Sequence, residues 1–173
     1  DWFGSIKDIS KPFLATAYYY RCLVLLARMA EELEYLDDMA LYSGLAIQVK
    51  EAINTAYLKE DRYYDTNSQT ANALALYLEF APDESKSAVL NSLVADILYR
   101  ETMTVGCLGA EAILAALADN GRNDIAYYLA TNTNQGCWGY WMKEYASTTA
   151  LESFSDNRSS NNHAFLIGGL SAW

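Results

Sequence analysis

The sequence predicts an all-α fold of antiparallel helical hairpins, and three observations carry that prediction. Apolar residues recur every three to four positions through most of the 173-residue chain. Stop and start signals such as Pro82-Asp83-Glu84 and Asn120-Gly121 separate the periodic segments. No segment competes as a strand, apart from a weak signal at the Trp138 to Trp141 turn.

The first helix follows Ser10-Lys11-Pro12 and runs from Leu14 to Leu36, with Leu14, Tyr18, Cys22, Leu25, Leu26, Met29 and Leu33 recurring at helical spacing. A second is predicted from Asp37 to Leu58, where the Asp37-Asp38 pair suits the positive end of the helix dipole. The loop Lys59 to Asn67 is rich in charge and tyrosine; Glu60, Asp61 and Asp65 lack the spacing of a calcium loop and read as solvated. Gln69 to Phe80 is small and apolar on all sides, the character of an inner helix. Glu84 to Arg100 is more charged, the character of an outer one. Thr102 to Gly109 breaks the pattern, Glu111 to Asp119 resumes it, and Asp124 to Thr131 is a sixth helix. Of Tyr18-Tyr19-Tyr20, at least one ring must pack between helices, because three consecutive residues span more than half the circumference.

Composition narrows the function. With 52% hydrophobic residues the chain is long enough to bury a core. The net charge of −10, with 12 basic residues against 22 acidic, argues against nucleic acid or an anionic membrane surface as partner. The longest apolar run, Ala112 to Ala118, is far short of the roughly 20 residues that span a bilayer. Cys22, Cys107 and Cys137 fit neither a complete disulfide set nor a metal site and read as buried thiols; Asn157-Arg158-Ser159 matches a glycosylation acceptor without other support. No cofactor or metal motif occurs. The start at Asp1 and the stop at Trp173 lead to the expectation of a piece cut from a larger protein, and nothing selects among bacterial cytoplasm, periplasm and exterior.

The last third concentrates the chemistry. Trp138-Gly139-Tyr140-Trp141, Glu152 and the pair Asn162-His163, which holds the only histidine, combine flat aromatic faces, a carboxylate, an amide and an imidazole. Aromatic faces stack on the C–H faces of a pyranose, amides and imidazole bind its hydroxyls, and a carboxylate can activate water. Trp138 and Trp141 read equally as stacking walls or as core aromatics at a helix–loop junction.

Together with Asp1-Trp2, Asn67 to Leu76, the Thr104 to Gly109 turn, Ala126-Tyr127 and Thr148-Thr149, these residues resemble, in order, glycoside hydrolase family 78, the inverting α-L-rhamnosidases. The resemblance spans essentially the whole chain. It implies about the second half of an (α/α)6 barrel with a sugar pocket at one mouth. Glu152 would be the general base, His163 a ligand of sugar hydroxyls, Trp2 an aromatic wall, and Asp1, Asn162, Trp138 and Trp141 further substrate contacts. The substrate would be a rhamnose-containing glycoside or oligosaccharide. The family's general acid lies in an Asp- and Arg-rich motif upstream of this sequence, and Leu151 and Phe154 stand where the family usually has tryptophan. An open half-barrel would be covered by a second copy or by the rest of a longer chain. A catalytically inactive carbohydrate-binding or scaffold module, and an (α/α)6 glycosidase for another sugar, are the competing expectations.

Overall fold

A computed structural model describes residues 9–154 and 160–173. Among the described residues, eight helices and one small hairpin follow in chain order: α1 (Lys11–Glu32), α2 (Leu36–Tyr57), β1 (Leu58–Lys59), β2 (Tyr63–Tyr64), α3 (Gln69–Tyr77), α4 (Asp83–Arg100), α5 (Cys107–Asp119), α6 (Asn123–Thr131), α7 (Trp138–Tyr145) and α8 (Gly168–Ala172). The predicted all-α hairpin class holds. α1 packs on α2, α3 on α4 and α5, and α5 on α6 and α8.

Local chemistry explains the boundaries. Ser10 caps α1, its hydroxyl accepting from Phe13 N at 3.4 Å, and Pro12 sits in the first turn where no N–H is needed. Ser68 caps α3 by accepting from Ala71 N at 3.2 Å. Asp37 and Asp38 begin α2, while Asp83 and Glu84 begin α4 and Arg100 ends it, each matching the dipole.

Three details differ from the periodicity. The charged loop after α2 is a β-hairpin with register Leu58↔Tyr64 and Lys59↔Tyr63, and Glu60 and Asp61 turn it at φ 53° and 53°. Such turns are normally signalled by Asn-Gly or Asp-Gly, so two acids hid it. α5 begins at Cys107 rather than near Glu111, because Gly109 is a packing residue and not a breaker. Trp138 to Trp141 opens a helix instead of a turn with strand character.

α3 and α5 form the middle of the core, with Ala71, Ala73, Leu74, Ala75, Ile113, Leu114 and Leu117 fully buried. An aromatic cluster seals it against the hairpin: Phe13 lies 5.2 Å from Tyr57, 6.0 Å from Tyr64 and 6.1 Å from Phe80. Of the three consecutive tyrosines, Tyr20 is buried, Tyr18 half-buried and Tyr19 exposed, as the helix geometry requires.

Each outer helix returns the chain, so α3, α5 and α8 start at one end of the array. Close contacts establish this. A Cβ added to Gly109 would stand 2.5 Å from Thr70 Oγ1, and one on Gly169 would collide with the carbonyl oxygen of Ala110. α1 joins them, Ser10 N donating to Asp65 Oδ2 at 2.7 Å just before α3. The buried Gln69 ties the loops at this end: its amide donates to Asp96 Oδ2 (3.0 Å) and Thr102 O (3.2 Å), and its carbonyl accepts from Thr104 N (2.9 Å). Asn72 does the same for the hairpin, accepting from Tyr64 N at 2.9 Å and donating to Asn67 Oδ1 at 2.8 Å.

Candidate active site

The site expected in the last third is built on the segment between α7 and α8, which closes on itself. Glu152 N donates to Ser160 O at 3.2 Å and His163 N donates to Ala150 O at 2.9 Å, so the stretches carrying Glu152 and His163 run antiparallel. Thr149 Oγ1 adds a bond to Asn161 O. Eleven positions apart in sequence, Glu152 and His163 are thereby held on one closed loop.

Both candidate tryptophans belong to the anchor of this loop. Trp138 is 2% exposed and donates through Nε1 to Leu166 O at 2.8 Å; Trp141 is 3% exposed and donates to Ser153 O at 3.1 Å. The face of Trp141 is covered by Phe154, stacked at 4.9 Å and 20°, and Trp138 meets the same ring edge-on at 5.9 Å. At 2% and 3% exposure neither indole offers a face to solvent, so of the two readings left open the core one describes their packing in this chain. Leu151, 1% exposed, fills the same core.

Glu152 and His163 are half-buried and Asn162 is exposed. His163 Nδ1 accepts from Phe165 N at 3.4 Å, which places the neutral ring's proton on Nε2 as a donor. The ring of Phe165 meets the imidazole edge-on at 4.4 Å. Asp1 and Trp2 lie outside the described residues, as does Asn157-Arg158-Ser159.

A neighbour that no motif announced is Cys107, the first residue of α5. Burial pushes its thiol above the ordinary range, its own backbone hydrogen bond pulls it partly back, and the Glu152 charge pushes it up again. Of the three thiols expected to be buried, only Cys137 is; Cys107 is half-buried and Cys22 exposed, because α1 buries the face of Phe13, Ala17, Tyr20, Leu23, Ala27 and Ala30 and not the expected stripe through Cys22.

A cavity of about 420 Å³, largely apolar, opens next to this point and is lined by Cys107, Leu108, Glu111, Phe165 and Gly168. Glu111 is held by Arg21 of α1 at 2.9 Å, and the guanidinium lies 5.9 Å from the Tyr18 ring and 5.7 Å from that of Tyr77. Burial and the Glu111 charge push the Tyr18 phenol up to about 12, so it stays a neutral hydroxyl. Among the described residues, no three His, Cys, Asp or Glu side chains converge to hold a metal ion, and no helix is long and apolar enough to cross a membrane.

Comparison with known proteins agrees with this architecture. The family described as the bacterial alpha-L-rhamnosidase 6 hairpin glycosidase domain matches residues 1–173. An alpha-L-rhamnosidase of Streptomyces avermitilis is 34% identical over 153 residues, 88% of this chain and 15% of that protein. One from Formosa agariphila is 25% identical over 176 residues, 96% of this chain and 19% of that protein. The chain thus spans less than a fifth of these relatives. Among solved structures, the S. avermitilis alpha-L-rhamnosidase complexed with L-rhamnose superposes with a TM-score of 0.90 at 31% identity, over 98% of this chain and 18% of that one. The enzyme from Dictyoglumus thermophilum gives 0.83 at 30%, over 91% and 18%. The Aspergillus terreus enzyme, at 21% identity, shares the fold with a TM-score of 0.91 over 100% and 22%.

Proposed function

From the premise that this chain belongs to the bacterial α-L-rhamnosidase six-hairpin glycosidase family, we propose that it is the C-terminal half of an (α/α)6 barrel in a larger enzyme that hydrolyses terminal α-L-rhamnosides with inversion. Glu152 is the general base. It deprotonates the water that attacks the anomeric carbon, while an acid from outside this chain protonates the leaving oxygen. Inversion requires the two carboxyl groups about 6.5–9.5 Å apart, room for that water.

The observation that carries the reading is the closed loop holding Glu152 and His163 at the end of the array where the inner helices begin. His163 there presents Nε2–H to a sugar hydroxyl, and Asn162, beside it and exposed, supplies amide donors and an acceptor. The L-rhamnose bound by the S. avermitilis relative supports the choice of sugar. Trp2 and Asp1 complete the wall in this proposal. Trp138 and Trp141 act through the loop they anchor, as positioning residues.

Without the acid, the chain by itself is inactive. Glu152→Gln in the full-length parent should lower kcat on p-nitrophenyl α-L-rhamnoside by about 10²–10⁴-fold, the usual contribution of a positioned base, with L-rhamnose binding retained. Turnover near the parent's level would remove Glu152 from the mechanism.

A further inference from the structure

The outer wall carries a groove that the proposed reaction does not use. It has a volume of about 490 Å³ and lies between α4 and the turn after β1. Ala88, Ala95, Arg62, Asn91, Asp96 and Tyr99 line it. We propose that this groove is a secondary binding site for a neutral glycan chain, with Tyr99 as the stacking platform.

Tyr99 is 85% exposed, the most exposed large side chain among the described apolar and aromatic residues. A phenol ring left in water beside a groove has a flat face for the C–H surface of a pyranose. Asn91, exposed about two turns of α4 before it, can donate to and accept from hydroxyls, and the Arg62 guanidinium offers further donors. The walls are fixed in place. Ser92 Oγ donates to Arg62 O at 2.9 Å, securing the turn to α4. Asp96 is held from two sides, by Arg100 Nε at 3.0 Å and by Gln69 Nε2 at 3.0 Å. A mixed, open groove of this kind suits a polyhydroxylated chain better than an ion or a compact apolar ligand.

Position adds to the argument. Gln69, which grips Asp96, also grips Thr102 and Thr104 on the segment leading into α5. The groove wall and the loop at the start of that inner helix therefore share one support. A polymeric substrate seated along α4 would be retained near the mouth between cleavages, raising the local concentration of chain ends.

The test uses the full-length protein that contains this chain, with a neutral α-L-rhamnan as the probe. Electrophoresis through gels containing the rhamnan should retard the parent and Tyr99→Phe, and Tyr99→Ala should migrate as in a rhamnan-free gel. Asn91→Ala should show intermediate retardation. With p-nitrophenyl α-L-rhamnoside, Tyr99→Ala should keep the parent's kcat/KM, while its KM for the rhamnan should rise about five- to tenfold, the scale of one lost stacking contact. Parent protein that is not retarded, or Tyr99→Ala with retardation and rhamnan KM within about twofold of the parent, would overturn the site. Retardation does not depend on turnover. If the parent failed to hydrolyse the aryl rhamnoside, the proposed reaction would fall while the groove was still judged by its own gel.

Discussion

Glu152 is a candidate through its company of aromatics, Asn162 and His163, and the fold pairs the two stretches through Glu152 N to Ser160 O and His163 N to Ala150 O. Cys107 could not be found that way, because a lone cysteine 45 positions upstream carries no signal until α5 brings it to the loop. Their coupling can be tested without substrate. Burial and then the Glu152 charge raise the thiol, so at pH 8 less thiolate is present than a free cysteine would give, and alkylation should rise with pH later than for a free thiol. Removing the carboxylate's charge lowers the thiol back toward its ordinary value. In a Cys22→Ser background, Glu152→Gln should therefore speed iodoacetamide labelling of Cys107 at pH 8, read by intact mass. An unchanged rate would mean that the carboxylate points away from α5. The tryptophans teach the complementary lesson: composition identified an aromatic cluster, but only packing could tell a sugar platform from an anchor, and Phe154 occupies the face in question.

The extents of the two long helices are legible in the sequence, α1 and α2 lying within a few residues of their expected bounds, but the face α1 buries is not: Phe13, Ala17, Tyr20, Leu23, Ala27 and Ala30 are inside, while Leu25, Leu26, Met29 and Leu33 of the expected stripe are exposed. Elements stabilised by tertiary partners are not legible either. The hairpin has two residues per strand, too few for any alternation, and its stability comes from the buried Tyr64, whose hydroxyl donates to Asn54. Gln69 and Asn72, polar residues in a helix read from its apolar ones, are the ties that fix the loops at the end where α3 begins. Gln69→Ala would leave Thr104 N–H without its acceptor and Asp96 without one donor, both in buried or half-buried places. The expected cost is about 1–3 kcal/mol, measured as a lowered midpoint in urea. Gln69→Glu should not restore it, since a carboxylate cannot donate to Asp96 or Thr102 O. A midpoint unchanged by Gln69→Ala would show that these loops are held by other contacts.

At the scale of the molecule, one edge of the array is unfinished. Met29, Leu33, Leu36, Leu41 and Ile47 of the first hairpin are 58%, 62%, 65%, 55% and 60% exposed, an apolar band of the kind that marks an interface. The 19.3 kDa chain produced alone should run as a dimer or larger species in size-exclusion chromatography with light scattering, and Met29→Lys with Leu33→Lys should move it toward monomer. A monodisperse monomer at high concentration would show that the band tolerates water. The glycine seams at Gly109 and Gly169 have a different consequence. In a regular ring of six inner helices the radius equals the distance between neighbouring axes, and that distance, about 8–10 Å in general, follows the size of the side chains at the contact. Two absent side chains thus draw α3, α5 and α8 together and narrow the aperture by as much as they shorten the spacing. Exchange among glycine, alanine and serine at such seams is a means of resizing the opening through helix spacing alone.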